Sequence, residues 1–349
     1  MRVLLTGAAG FIGTRIFARL AAGGHDVVAV DTMLSAAHGG DAELPADVHR
    51  VDIRDAAAVA DVLDGVDVVC HQAAMVGAGV NAADSPAYAS HNDLGTAVLL
   101  AEMFAAGCQR LVLASSMVVY GQGRYRCEEH GVVDPSPRQR ADLDAGVFDH
   151  CCPVGGEQLR WELVGEDAPL KPRSLYAASK VAQEHYALAW SDAAAGTVTA
   201  LRYHNVYGPG MPRDTPYSGV AAIFRSALES GDAPRVYEDG GQMRDFVHVD
   251  DVAAANVAAI EAEPGGLDAF SAFNVCSGKP VSILDVASAL CEARGGLKSA
   301  APAVTGQYRS GDVRHIVADP AKAAQVLGFR AVVDPADGLR EFATAPLRH

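Results

Sequence analysis

The first two hundred residues alternate between short, wholly apolar runs and longer stretches whose apolar residues recur with helical spacing. Val3 to Leu5 and Val27 to Val30 are runs of the first kind. So are the apolar cores of "VHRVDIRD", "DVVCHQAA", "RLVLASS" and "VTALRYH". Runs this short and apolar on both faces predict strands buried in a parallel sheet. Between the first two lie Phe11, Ile12, Ile16, Phe17 and Leu20, which fall on one side of a helix. The pattern predicts an α/β fold, a doubly wound parallel sheet with helices on both faces. Such sheets gather ligands beyond the carboxyl ends of their strands. Asp31, Asp52, Ala73, Ala74, Ser115 and Ser116 all stand at predicted strand ends, hence along one edge.

After "NVYGPG" the alternation loosens. "TPYSGVAAIFRSALESG" predicts a helix from near Pro216, with Val220, Ile223, Phe224 and Leu228 on one face. "RDFVHVDDVAAANVAAIEA" predicts a strand and helix returning to the first lobe. From about 270 onward, short strands and helices predict a small lobe closing over the ligand. The expected division is therefore discontinuous. Residues 1–204 form the first lobe, with 121–174 as an inserted loop and about 236–265 rejoining it. Residues 205–235 and 266–349 form the second.

The glycines sharpen the ligand. Gly7, Gly10 and Gly13 lie between a predicted strand and a predicted helix. That context lets backbone pass close to a pyrophosphate held at a helix N-terminus. Asp31 ends the next strand, where an acid accepts hydrogen bonds from the adenosine ribose and repels a 2′-phosphate. The expected cofactor is NAD rather than NADP. "YAASK" places Tyr176 and Lys180 one turn apart on a helix face. A neighbouring ammonium and a positive nicotinamide favour the phenolate, so Tyr176 is the candidate base, with Ser116 holding the same substrate oxygen.

Charge and composition remove other classes. The chain has 349 residues, half of them apolar, with 28 basic and 43 acidic residues and a net charge of −15. That balance argues against a nucleic-acid partner. No run approaches the roughly 18 apolar residues of a membrane span. Seven cysteines without a framework of spacings imply reduced thiols and a cytoplasmic location.

These motifs carry a resemblance. "TGAAGFIG", "SSMVVYG", "YAASK", "RYHNVYGPG", "RDFVHVDDVA", "FNVCSGKPVSI" and "GDVRHIVADPAKAAQVLGF" follow one another along nearly the whole chain. In this the chain resembles the extended short-chain dehydrogenases/reductases of the NAD-dependent nucleotide-sugar epimerase/dehydratase family. The resemblance implies a Rossmann fold with a smaller C-terminal substrate lobe. It implies Ser116, Tyr176 and Lys180 as the catalytic set. Gly7, Gly10, Phe11, Ile12, Asp31, Asp52, Ile53, Ala73, Ala74, Ala114, Tyr203 and His204 match contacts to NAD, and Asn92 an asparagine supporting the lysine. Ser116, Asn205, Arg244, Arg309 and Asp312 match residues that hold the nucleotide-sugar substrate. A homodimer is implied too, joined through the helix after Asn92 and the helix bearing Tyr176. Leu94, Val98, Leu99 and Phe104 suit that interface or, equally, the sheet.

Three reactions of the family separate on two positions. Dehydratases resemble one another in an Asp-Glu pair after the catalytic Ser or Thr, where this chain has Met117 and Val118. A 4-keto reductase usually prefers NADPH, against Asp31. The expectation is 4-epimerisation through a transient 4-keto sugar. An NAD-binding sensor or scaffold is the non-enzymatic alternative, and the intact Ser116, Tyr176 and Lys180 set it aside.

The segment "CEEHGVVDPSPRQRADLDAGVFDHCCPVGGE", residues 127–157, has no period of its own. Cys127, His130, His150, Cys151 and Cys152 have roughly the spacing of a zinc knuckle. The loop, with "GPGMPRDTPYSGVAAIF" and "YEDGGQMRDFVHVDDV", is similar to that of a bacterial group of the family acting on dTDP-L-rhamnose, which implies that substrate. In that group the later half reads C-P-x-C-G, and here Gly155 replaces the second cysteine. The expectation is no bound metal: a degenerate knuckle packed over the sugar end of the site by Trp161, Leu159 and prolines, with an irregular site through His150 or Cys151 as the alternative.

Overall fold

The computed structural model describes residues 1–38, 42–77, 81–213, 219–295, 301–309 and 311–348. Its centre is a seven-stranded sheet of β1 (Arg2–Thr6), β2 (Asp26–Asp31), β3 (Val48–Arg50), β4 (Val68–His71), β5 (Arg110–Ser116), β6 (Thr197–Tyr203) and β7 (Phe270–Val275). The order is β7-β6-β5-β4-β1-β2-β3, every pair parallel. The order reverses between β1 and β4, so their carboxyl ends open a crevice there. Both faces are covered. Ile16 and Leu20 of helix Phe11–Ala22 pack with Val252, Ala255 and Ala259 of helix Val249–Glu261 on one side. Leu99 and Met103 of helix Gly95–Ala106 pack with Ala187 and Trp190 of helix Leu175–Ala193 on the other.

Two boundaries move from the sequence expectation. Phe270–Val275 pairs in register with β6, from Phe270↔Val198 to Val275↔Tyr203, so it closes the main sheet and is not part of the second lobe. Met243–His248 instead joins a three-stranded sheet with Asn205–Tyr207 and Pro280–Ser282 in the second lobe. Only the helix that follows it returns to the first. The helix predicted from near Pro216 begins at Val220 behind Gly219; Pro216 itself lies outside the described residues. Phe224, Leu228, Val286, Leu290 and Phe342 form the core of the second lobe.

The inserted segment is not a loop without structure. Arg124–Cys127 lies between Gly131–Val133 and Arg160–Glu162 in an antiparallel sheet of its own, and Arg140–Asp144 is a short helix. Its ends meet: Lys171 N donates to Val119 O at 2.8 Å. The far side docks on the second lobe, where Arg138 pairs with Glu238 at 2.8 Å and Asp149 with Arg314 at 2.7 Å. Leu159 is buried, as expected, whereas Trp161 is partly exposed beside His315.

All seven cysteines are free. Among the described residues no helix is long and apolar enough to cross a membrane. Phe273 on β7 is fully buried beneath the Lys322 ammonium, 4.9 Å from the ring centroid. Phe273→Ala is expected to cost about 3–5 kcal/mol in urea unfolding, as a position in the central sheet and not in a peripheral lobe.

Candidate active site

The turn after β1 is shaped by close approach. Gly7 takes φ +68°, and a Cβ on it would lie 2.8 Å from Ala73 N. A Cβ on Gly13 would lie 2.1 Å from Gly7 O. Glycine alone lets the turn, the following helix and the end of β4 meet this closely. Thr6 Oγ1 completes the junction by accepting from the N–H groups of Gln72 and Ala73, both at 3.1 Å. A cavity of about 530 Å³ opens here, lined by Gly7, Gly10, Phe11 and Ile12 at the helix N-terminus. Free N–H groups and the positive end of the helix suit a pyrophosphate.

At one end of this cavity stands Asp31. Its carboxylate accepts from Ala9 N at 3.1 Å and Met33 N at 2.8 Å, and lies 3.3 Å from His38 Nε2. Burial pushes the carboxyl up, but His38 and the two N–H groups outweigh it and hold Asp31 below the usual carboxylate range. Asp52 and Ile53 line the same end, Asp52 gripped by Arg54. Arg348, from the far C-terminal segment, closes it by donating to Ala9 O at 2.7 Å. Glycine turn, helix start and Asp31 together fit the adenosine half of NAD.

The other end brings together the reacting groups expected from the sequence. Ser116 ends β5, and Tyr176 and Lys180 project from helix Leu175–Ala193, whose start is capped by Ser174 Oγ accepting from Ala177 N at 3.1 Å. All three line the cavity with Ala73, Ala74, Ala114, Tyr203, His204 and Asn205. Lys180 Nζ donates to Ala114 O at 2.9 Å and lies 5.9 Å from the centroid of the Tyr176 ring. Burial pushes the Tyr176 phenol up to about 12, opposed by its hydrogen bond with Ser116. The lowered phenol expected from sequence is therefore not a property of the protein alone; desolvation outweighs the hydrogen bond until positive charge arrives. Burial also pushes Lys180 down to about 7 and the His204 imidazole down to about 3. Asn205 Oδ1 is buried without a hydrogen-bond partner.

Other expected residues stand elsewhere. Asn92 does not line the cavity. It sits in a wide π-type turn, Ala89–Leu94, and ties Met75 to the Tyr176 helix. Its Oδ1 accepts from Met75 N at 2.7 Å, and its Nδ2 donates to Ser179 Oγ at 2.9 Å. Arg244 is turned onto main chain, donating to Met243 O at 2.9 Å and Arg314 O at 3.0 Å. Arg309 is exposed and stacks on Tyr237, 5.2 Å from the ring centroid, in a second, open cleft of about 420 Å³. Asp312 is exposed, and its carbonyl accepts from Arg138 at 2.7 Å. The substrate arginines expected from sequence thus lie outside the main cavity, because a motif fixes a position along the chain and not the direction of a long side chain.

Sequence reasoning missed the buried pair behind the site. Arg202 Nη2 meets Glu184 Oε2 at 2.7 Å, Ser115 Oγ donates to Glu184 Oε1 at 2.5 Å, and Arg202 Nη1 donates to Tyr120 OH at 2.9 Å. Glu184 one turn beyond Lys180 was the available signal. His38 and Arg348 carried none, since nothing local links either to Asp31.

Lys180 supplies a test. Folding lowers its pKa from the ordinary 10.5 to about 7. Across that window the unfolded lysine keeps a proton that the folded one has released, so stability rises with pH. Nucleotide-free Lys180→Met lacks this rise. Its stability relative to wild type, by urea unfolding, is expected to be highest near pH 7 and to fall toward the upper end of the window.

The chain is similar to known proteins along nearly its whole length. The family model described as "NAD dependent epimerase/dehydratase family" matches residues 3–139 and 152–276. A dTDP-L-rhamnose 4-epimerase of Burkholderia thailandensis is 34% identical over 98% of this chain and 94% of its own. The UDP-glucose 4-epimerase of Thermotoga maritima, solved with UDP-glucose, superposes with a TM-score of 0.79 at 26% identity, covering 98% of this chain and 97% of that one. That of Thermus thermophilus, solved with NAD, gives 0.73 at 30%, covering 98% of each. The chain is thus an enzyme with NAD as its cofactor, and a member of the NAD dependent epimerase/dehydratase family.

Proposed function

We propose that the protein is a 4-epimerase of a nucleotide-diphosphate sugar, with dTDP-L-rhamnose as its substrate. One observation carries the choice of reaction. Among the described residues lining the main cavity the only carboxylates are Asp31 and Asp52, at the adenosine end and paired with His38 and Arg54. Around Tyr176 no described residue lining the cavity is a carboxylic acid that could expel water from the sugar, and Met117 and Val118 follow Ser116 as apolar wall. The sugar assignment rests on likeness to the Burkholderia thailandensis enzyme.

NAD, held by the glycine turn and Asp31, would supply a reversible hydride acceptor for C4 of the sugar. The chain's own part is proton control and space. Tyr176 takes the proton of the C4 hydroxyl and later gives it back, with Ser116 holding the same oxygen. A positive charge near the phenol, such as Lys180 carries when protonated, would draw it down from about 12 toward the working range. Asn205, with its unpartnered Oδ1, offers an acceptor to a substrate hydroxyl. The apolar wall lets the 4-keto sugar turn its other face. The nucleotide end belongs to the Tyr237–Arg309 cleft, while Arg244 holds the carbonyls of Val313 and Arg314 a few residues beyond Arg309.

The free cysteines support a reducing compartment. A homodimer is supported by apolar side chains left outside: Leu94 is 52% and Phe104 65% exposed, while Leu99, offered by the sequence as a contact, is fully buried against the sheet.

Purified protein without added cofactor is expected to convert dTDP-L-rhamnose to its 4-epimer, read by chromatography, with UDP-glucose, UDP-glucuronate and GDP-mannose offered in parallel. No conversion of any sugar, with NADH consumed on a 4-keto sugar, would assign a reductase instead. Tyr176→Phe is expected to lower kcat by about 10²–10⁴ while NAD stays bound. Phe104→Glu is expected to shift a dimer to monomer in light scattering; a wild-type monomer sinks that part.

A further inference from the structure

The inserted segment holds a second constellation, remote from the cavity. Cys127 ends the central strand of its sheet, His130 follows in the turn to Gly131–Val133, and Cys152 and Glu157 flank the turn before Arg160–Glu162. The four ligand atoms of Cys127, His130, Cys152 and Glu157 lie within 4.8 Å of one another. Cys127 Sγ is 3.3 Å from His130 Nδ1 and 3.7 Å from Glu157 Oε2, and Cys152 Sγ is 3.5 Å from His130 Nδ1. A tetrahedral zinc bound by two sulfurs, a nitrogen and an oxygen at ordinary bond lengths has ligand-to-ligand edges of about 3.3–3.8 Å. The cluster already has the size of a coordination shell.

Three further observations point the same way. The two cysteines are free although buried side by side. Each opens a turn whose next N–H groups face its sulfur, Glu129 and His130 toward Cys127, Val154 and Gly155 toward Cys152. N–H groups so placed are positioned to donate to a metal-bound sulfur. A Cβ on Gly155 would lie 2.2 Å from Glu157 Oε1, so the carboxylate fills the space that any side chain at 155 would take. Glu157 and a bare position at 155 go together. The candidates weighed from sequence divide accordingly: Cys151 is exposed, and His150 points to Gln122, 3.3 Å away, with its ring against Tyr125.

We propose that Cys127, His130, Cys152 and Glu157 bind one structural zinc ion through a closed Cys₂-His-Glu shell. The two thiols release their protons on binding, His130 coordinates through Nδ1, and no position remains for water or substrate. None of the four lines the main cavity. Thiolate, imidazole and carboxylate together suit zinc better than calcium or magnesium, which take oxygen. The segment has reason to need it: its private core is Tyr125, Cys127, Cys152 and Leu159, with Val133 at the edge, too small to hold three short strands alone.

The test uses the full chain, purified reduced and without chelator. Elemental analysis is expected to find about one zinc per chain, falling at least tenfold in Cys127→Ser and Cys152→Ser and unchanged in Cys151→Ser. Glu157→Gln is expected to weaken zinc about 10–100-fold, whereas Glu157→Cys keeps it. Cobalt(II) added to stripped wild type, which needs no variant to fold, is expected to give a thiolate-to-metal absorption band and tetrahedral visible bands. Absence of both zinc and the cobalt band overturns the proposal. So does a Cys127–Cys152 disulfide in reduced preparations, or equal zinc loss in Cys151→Ser.

Discussion

The buried ion pair between Arg202 and Glu184 is the joint on which the reaction end depends. Both side chains are nearly sealed from water, so each charge relies on the other and on its hydrogen bonds. Glu184 belongs to the helix of Tyr176 and Lys180, Arg202 to the neighbouring strand. Through Ser115 and Tyr120 the pair also grips the end of β5 and the turn after it. Tyr120 OH donates to Asn274 Oδ1 at 2.8 Å, reaching β7. Helix, three strands and the Ser116 turn are thus held at one set of distances. Removing either ion would leave a bare charge in the core, which costs about 3–5 kcal/mol. The position of the Tyr176 hydroxyl over the cavity is a product of that joint as much as of its own motif.

A second constraint is desolvation. The same burial raises Tyr176 and lowers Lys180, so the protein's own groups favour a neutral phenol and a readily discharged lysine. Positive charge entering the cavity draws the phenol back down. The chemistry is coupled to occupancy by solvation, with no moving part required. His71 shows the structural counterpart: wedged between Thr6 and Thr96 at 2.8 and 3.1 Å and pushed down to about 3, it stays neutral and locks the strand ends.

What could be read in the chain was local. Gly7, Gly10 and Gly13 have meaning within one turn, Tyr176 and Lys180 within one helical turn, and Asp31 at the end of one strand; each stands in the cavity. What depended on distant partners was not legible. Glu184 needs Arg202, Asp31 needs His38 and Arg348, and Cys127 needs Glu157, none of them neighbours in sequence. The apolar run Phe270–Val275 was placed in the wrong lobe because its partner strand decides its layer and periodicity does not. Arg309 stands in the second cleft and Arg244 is turned onto main chain, and a flexible stem left both targets open in the sequence.

The insertion between β5 and β6 begins and ends at one spot. Val119 and Lys171 share a main-chain hydrogen bond, and a Cβ on Gly121 would lie 2.2 Å from Lys171 O. β5 and β6 are themselves paired up to Ser116↔Tyr203. The scaffold therefore closes this excursion whatever its length, and lengthening a closed loop adds little entropy cost. In evolutionary terms the segment is an exchangeable cassette. Its length can change while the pairing of β5 and β6, and with it the placing of Ser116 beside Tyr203, stays as it is.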